Sequence, residues 1–178
     1  MRGFLVCSAL ICTVGLSAFA TAQYSQDQLD VKPSGIALRV GGYAPFDSDT
    51  QHVGRWFYGL GADYTFPTQL LPGSQTFFSF EWLAKSFNGN HNSVFPVMLN
   101  QRFAAGKGLL GDHSYWFAGI GAVIFDVGSS KTVFGGRAGI GTEFKQDWFC
   151  ELCGYISERD SGSGARMDGA ALWLGYRF

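Results

Sequence analysis

The side chains that could do chemistry in this sequence are few, and they fall into three groups. Asp47, Ser48 and Asp49 lie just ahead of His52, and a serine with a histidine and a carboxylate is what acyl transfer uses. The same residue types also make ordinary solvated turns. His91 and His113, the other histidines, stand far along the chain, so no catalytic residue is assigned. Cys150-Glu151-Leu152-Cys153 invites a redox or metal reading. In an extended strand, residues three apart point to opposite faces and sit roughly 10 Å apart, too far for a disulfide without a bulge. No histidine is near them in sequence, so two small hydrophobes are expected, one outward and one inward, with no metal and no cofactor. The third group is nine charges: Arg39, Asp63, Glu81, Lys85, Arg102, Arg137, Glu143, Glu151 and Arg177. Their spacing is informative only once the elements that carry them are drawn.

Those elements alternate. Residues 35–46 set Ile36, Leu38 and Val40 against Ala37, Arg39 and Gly41, and residues 55–66 set Tyr58, Leu60 and Tyr64 against Gly59, Gly61 and Asp63. Further segments of the same kind cover 76–87, 94–103, 115–126, 133–144, 148–158 and 168–178. Apolar residues recur at i, i+2 and i+4 rather than i, i+3 and i+4, which is a strand pattern, and a tilted strand crosses a bilayer in about ten residues. Turn-forming residues separate the segments: Asp47-Ser48-Asp49, Pro67 with Pro72-Gly73, Asn88-Gly89-Asn90, 106–112, Gly128-Ser129-Ser130, Lys145-Gln146-Asp147 and 161–164. Gly119, Gly121, Gly139 and Gly141 make G-x-G strings, but no helix follows for a nucleotide loop. Glycines on an inward face instead make room for large neighbours.

All nine charges fall opposite the bulky apolar set. Arg or Lys facing lipid near the midplane costs roughly 2–4 kcal/mol, so these side chains are expected to point inward. A soluble barrel would have the opposite arrangement. The expected fold is therefore all-β: an eight-stranded antiparallel up-and-down transmembrane β-barrel spanning 35–178. An interior of that width is filled by side chains, and the inward charges are expected to pair with one another rather than line a water-filled channel. An even strand number places both termini on the periplasmic side, so connections one, three, five and seven face outward. Trp56, Tyr64, Phe66, Phe103, Phe144, Trp148, Tyr176 and Phe178 lie near strand ends and read as interfacial girdles.

The N-terminal residues set the compartment. Arg2 supplies a positive charge, residues 4–19 are uncharged and apolar, and Ala20-Thr21-Ala22 offers a signal-peptidase site. Residues 1–22 are thus expected to be a cleaved secretory signal and 23–34 a short periplasmic lead-in. What remains carries 12 basic and 14 acidic residues, with no basic run, so a nucleic-acid partner is not expected.

The final segment adds a more specific signal. Ala171-Leu172-Trp173-Leu174-Gly175-Tyr176-Arg177-Phe178 ends on an aromatic residue, with Leu172, Leu174 and Tyr176 on the same face. This resembles the terminal strand by which bacterial outer-membrane proteins are recognised by the barrel-assembly machinery. In size and strand number the chain resembles the small eight-stranded barrels of the OmpA/OmpX type, barrel only, without a peptidoglycan-binding domain. The resemblance implies insertion in a bacterial-type outer membrane, with its lipids and the assembly machinery as partners, as a monomer. It implies a structural, envelope-integrity or surface-interaction role and carries over no catalytic residue. The alternatives are a lipid A-modifying membrane enzyme and a narrow solute or ion pore.

Overall fold

The computed structural model describes residues 35–85, 92–108, 111–127, 129–144, 147–161, 164 and 166–178. The expected signal segment, the lead-in and His91 lie outside the described residues. Eight strands follow in chain order: β1 (Gly35–Pro45), β2 (Phe57–Thr65), β3 (Ser74–Ala84), β4 (Asn92–Gly108), β5 (Gly111–Val127), β6 (Ser129–Phe144), β7 (Trp148–Ser157) and β8 (Gly169–Arg177). Each pairs antiparallel with its sequence neighbours, and β8 pairs with β1 to close the barrel. The closing seam runs from Ala37 opposite Arg177 to Pro45 opposite Gly169. Closure leaves no free sheet edge, the condition a membrane-spanning sheet has to meet. No helix among the described residues is long and apolar enough to cross a membrane.

The period-2 pattern places side chains as the sequence predicts. Ile36, Leu38, Val40, Leu60, Ile120, Ile140, Leu152, Leu172 and Leu174 are exposed on the outside, and Arg39, Asp63, Glu81, Arg102, Arg137 and Glu151 are buried inside. The inward glycines face large side chains or partner backbone. A Cβ on Gly119 would lie 2.1 Å from Asn100 Oδ1, and one on Gly141 would lie 2.4 Å from the Tyr115 ring. Above the buried charges, on the side away from the termini, Tyr43, Phe57, Leu83, Val94, Val123, Phe125 and Met167 form an apolar layer. The belt of charges and this apolar layer together place large buried side chains along the interior.

The connections depart from expectation in two ways. β4 and β5 extend to Gly108 and Gly111 through register shifts at 104–108, and β6 begins at Ser129 directly opposite Val127. The described residues of the expected turns at 106–112 and 128–130 are therefore paired in long hairpins. The first connection also contains a short helix, α1 (Ser48–Val53). Asp47 caps it, accepting from the Thr50 amide at 3.2 Å, which is the ordinary N-cap role of aspartate. Connections one and seven, 46–56 and 158–168, are thus the long ones, on the side away from the termini.

Candidate functional site

The interior charges form a belt built across the barrel from single residues on separate strands. Arg39 of β1 is its hub: its guanidinium lies 2.6 Å from Glu81 of β3, 2.9 Å from Glu151 of β7 and 3.0 Å from Asp63 of β2. Arg137 of β6 pairs with Glu81 and donates to Asn100 Oδ1 at 2.8 Å. Arg102 of β4 lies 3.6 Å from Glu151 and donates to Gln75 at 3.1 Å. Two phenols add hydrogen bonds to two of the carboxylates. Tyr115 donates to Glu151 at 2.8 Å and Tyr155 to Glu81 at 2.8 Å, and Trp173 donates to the Tyr155 oxygen at 3.2 Å. Three arginines thus meet three carboxylates across the middle of the barrel.

Local sequence explains how so many large groups fit. Arg39 sits opposite Gly61, where a Cβ would come 2.7 Å from its Nε, so only glycine leaves the guanidinium room to cross the lumen. Arg102 lies between aromatic faces, 4.5 Å from the Phe77 centroid and 4.6 Å from that of Tyr115. Such cation–π contacts stabilise an arginine held away from water.

Of the nine predicted charges, six are in the belt, and Glu143 and Arg177 form a separate pair nearer the termini. Lys85 is not among them. It lies just beyond the end of β3, exposed, with its stem beside the position a Gly54 Cβ would take, at 3.2 Å. The parity of its position is inward, but the strand has ended and the side chain emerges at the rim. What the charge pattern alone did not flag is the neutral half of the belt: Asn100, Tyr115, Tyr155 and Trp173. Their inward parity was legible, but hydrogen-bonding partners across a lumen depend on strand stagger.

The residues around His52 have other roles. Asp47 caps α1, Asp49 pairs with Arg159 at 2.8 Å, and His52 is exposed in the last turn of the helix. Cys150 and Cys153 are both free, with Cys153 buried inside and Cys150 on the outward set. Among the described residues, no group of three His, Cys, Asp or Glu side chains is placed to hold a metal ion.

Connections one and seven are latched together over the barrel mouth. The Thr50 hydroxyl donates to the Arg166 carbonyl at 2.8 Å and accepts from the Arg166 amide at 3.1 Å. The Phe46 amide donates to the Asp168 carbonyl at 2.6 Å, and Met167 is buried in the apolar layer below. Thr50→Val keeps the side-chain shape but removes both Thr50 hydroxyl bonds to Arg166. It is expected to weaken the latch by about 1–3 kcal/mol, read as faster hydrogen exchange at the Arg166 and Met167 amides with strand amides unchanged.

No known family profile and no curated protein sequence matches this chain. Its fold is that of solved eight-stranded barrels. The crystal structure of Ail, the attachment invasion locus protein of Yersinia pestis, superposes with a TM-score of 0.52 and 15% sequence identity, covering 82% of this chain and 97% of that one. The structure of Yersinia pestis outer membrane protein Ail in a phospholipid bilayer nanodisc superposes with a TM-score of 0.51 and 14% identity, covering 82% and 99%. The architecture is the small-barrel type expected from the terminal strand and strand number.

Proposed function

We propose that this chain is an integral outer-membrane barrel whose lumen is closed and whose work is done at its surfaces, as a structural or surface-contact element of the cell envelope. The observation that carries this reading is the inversion of polarity across one sheet. Leucine, isoleucine and aromatic residues are exposed outside, while arginine–carboxylate pairs are buried inside. Water outside such a wall would leave it without a favourable solvent, and a bilayer supplies one. The filled interior argues against a pore, since the belt and the apolar layer above it occupy the cross-section. An enzyme reading would need a base with a carboxylate in reach, and the acids nearest His52 are engaged in a helix cap and an ion pair. The latched connections offer a shaped outer platform, and the attachment named for the similar Ail barrel is in keeping with a surface-contact role.

The test is fractionation of cells expressing the chain, with gel mobility before and after heating. The expected result is recovery in the outer-membrane fraction and a band that shifts on heating, as a detergent-resistant barrel does. Planar-bilayer recording is expected to show no steady conductance above background. A protein freely soluble without detergent would overturn the membrane reading, and stable channels would overturn the closed lumen.

A further inference from the structure

In a strand every second side chain leaves by the same face. Phe78 of β3 and Leu99 of β4 are exposed on the outside, so Ser74 and Thr76 of β3 and Gln101 of β4 also point outward. Yet Ser74 and Thr76 are each only 2% exposed. They are covered by the connection from β2 to β3, which folds back along the outer wall instead of running off the barrel end. The Leu70 amide donates to Thr76 Oγ1 at 3.2 Å, and Ser74 Oγ lies 2.8 Å from both the Leu71 carbonyl and Gln101 Oε1. Gln101 Nε2 donates to Thr76 Oγ1 at 3.1 Å. The return is made by a type II turn. The Ser74 amide donates to the Leu71 carbonyl at 3.2 Å, Pro72 takes the second position and Gly73, at φ 72°, the third.

The fold-back satisfies the polar groups of this patch of wall and turns apolar groups outward. Leu70 is 60% exposed and Leu71 47%, with Pro67 and Pro72 exposed beside them. Phe66 joins them to the barrel, its ring 5.2 Å from that of Tyr64. On the same terminal rim, Phe103 stacks on Trp116 at 4.2 Å and Trp148 packs on Tyr176 at 5.3 Å. The two leucines therefore stand at the level of an outward aromatic ring, where amphipathic side chains meet headgroups.

We propose that residues 66–73 form a lipid anchor, with Leu70 and Leu71 seated at the acyl–headgroup boundary of the leaflet on the terminal side. This rests on the membrane reading above. A second copy of the chain or a protein partner could also cover two exposed leucines, but continuity with the aromatic rim favours lipid. The anchor pins one side of the barrel wall at β2–β3 and fixes how deep that rim sits. It needs no rearrangement, because the turn that aims the leucines is hydrogen-bonded to the wall.

The experiment places a nitroxide on Leu71→Cys, in a Cys150→Ser/Cys153→Ser background of the full barrel. The protein is reconstituted in phosphatidylcholine–phosphatidylglycerol vesicles, with its fold checked by the heat-shifted gel band. Collision of the label with oxygen, which concentrates in lipid, is compared with collision with a water-soluble nickel chelate. Labels at Leu174→Cys, on the apolar band, and Ser48→Cys, on the far connection, give the two reference environments. The expected result is an oxygen-to-chelate ratio at 71 several-fold above that at 48 and close to that at 174. A ratio at 71 equal to that at 48 overturns the anchor while leaving the barrel in the membrane. Shielding from both reagents means a protein cover and overturns it too. A water-like ratio at 174 overturns the membrane reading and the anchor with it. Leu70→Cys, also on an exposed side chain, serves as the second labelling site.

Discussion

Replacing Arg39 with leucine is expected to destabilise the barrel by about 3–5 kcal/mol, measured as a shift of the urea unfolding midpoint in detergent micelles or vesicles. The size follows from what is left behind rather than from what is removed. Arg39 stands 2.6–3.0 Å from three buried carboxylates, and removing it leaves them facing one another in a closed lumen. The three would not suffer equally. Glu81 keeps Arg137 and the Tyr155 hydroxyl, and Glu151 keeps Arg102 and the Tyr115 hydroxyl. Asp63 has its ion pair with Arg39. Adding Asp63→Asn to Arg39→Leu is therefore expected to restore more stability than adding Glu81→Gln or Glu151→Gln. Equal rescue by all three would mean that the belt acts as a diffuse field rather than as discrete pairs.

Leu172→Arg tests the other face of the same wall. Leu172 lies near the middle of β8 and is exposed on the outside. In a bilayer an arginine there is expected to cost about 2–4 kcal/mol, falling to roughly 0–1 kcal/mol for Phe178→Arg at the rim. On a water-facing surface, an exposed Leu→Arg change would lie within about 0.5 kcal/mol of neutral. Unfolding of both variants in vesicles reads the difference directly. A depth gradient supports a lipid-facing wall, and two near-neutral values would place that wall in water.

Much of this wall is legible in the sequence. The alternation of Ile36, Leu38 and Val40 with Ala37, Arg39 and Gly41 fixes both strand and face, because a one-residue slip would exchange inside for outside. The inward placement of eight of the nine charges, six of them buried and Glu143 and Arg177 half-buried, follows from that parity. Lys85 shows where parity stops working: it tells which face a strand residue takes, but not where the strand ends. The belt's pairing was not legible either. Arg39 and Glu151 lie 112 residues apart, and their contact depends on the stagger of strands around the barrel. The fold-back at 66–73 was hidden for a related reason. Pro72-Gly73 announces a turn, but the outward hydroxyls of Ser74 and Thr76 decide that the turn lies against the wall.

The seam between β1 and β8 has a consequence for how the barrel comes to exist. It joins the first and last strands, down to the Phe178 amide donating to the Ile36 carbonyl at 2.9 Å. Every other ladder is a local hairpin, whereas this one carries the loop-closure entropy of nearly the whole strand-forming chain. Until it forms, β1 and β8 are open edges, ready to pair with any other strand. The latch sits at that seam, since connection one leaves β1 and connection seven enters β8. The two hydrogen bonds between the Thr50 hydroxyl and Arg166 thus hold the mouth end of the pair with the highest contact order. The junction with the longest sequence separation carries a clasp made outside the ladder itself, by side chain and loop rather than by strand pairing.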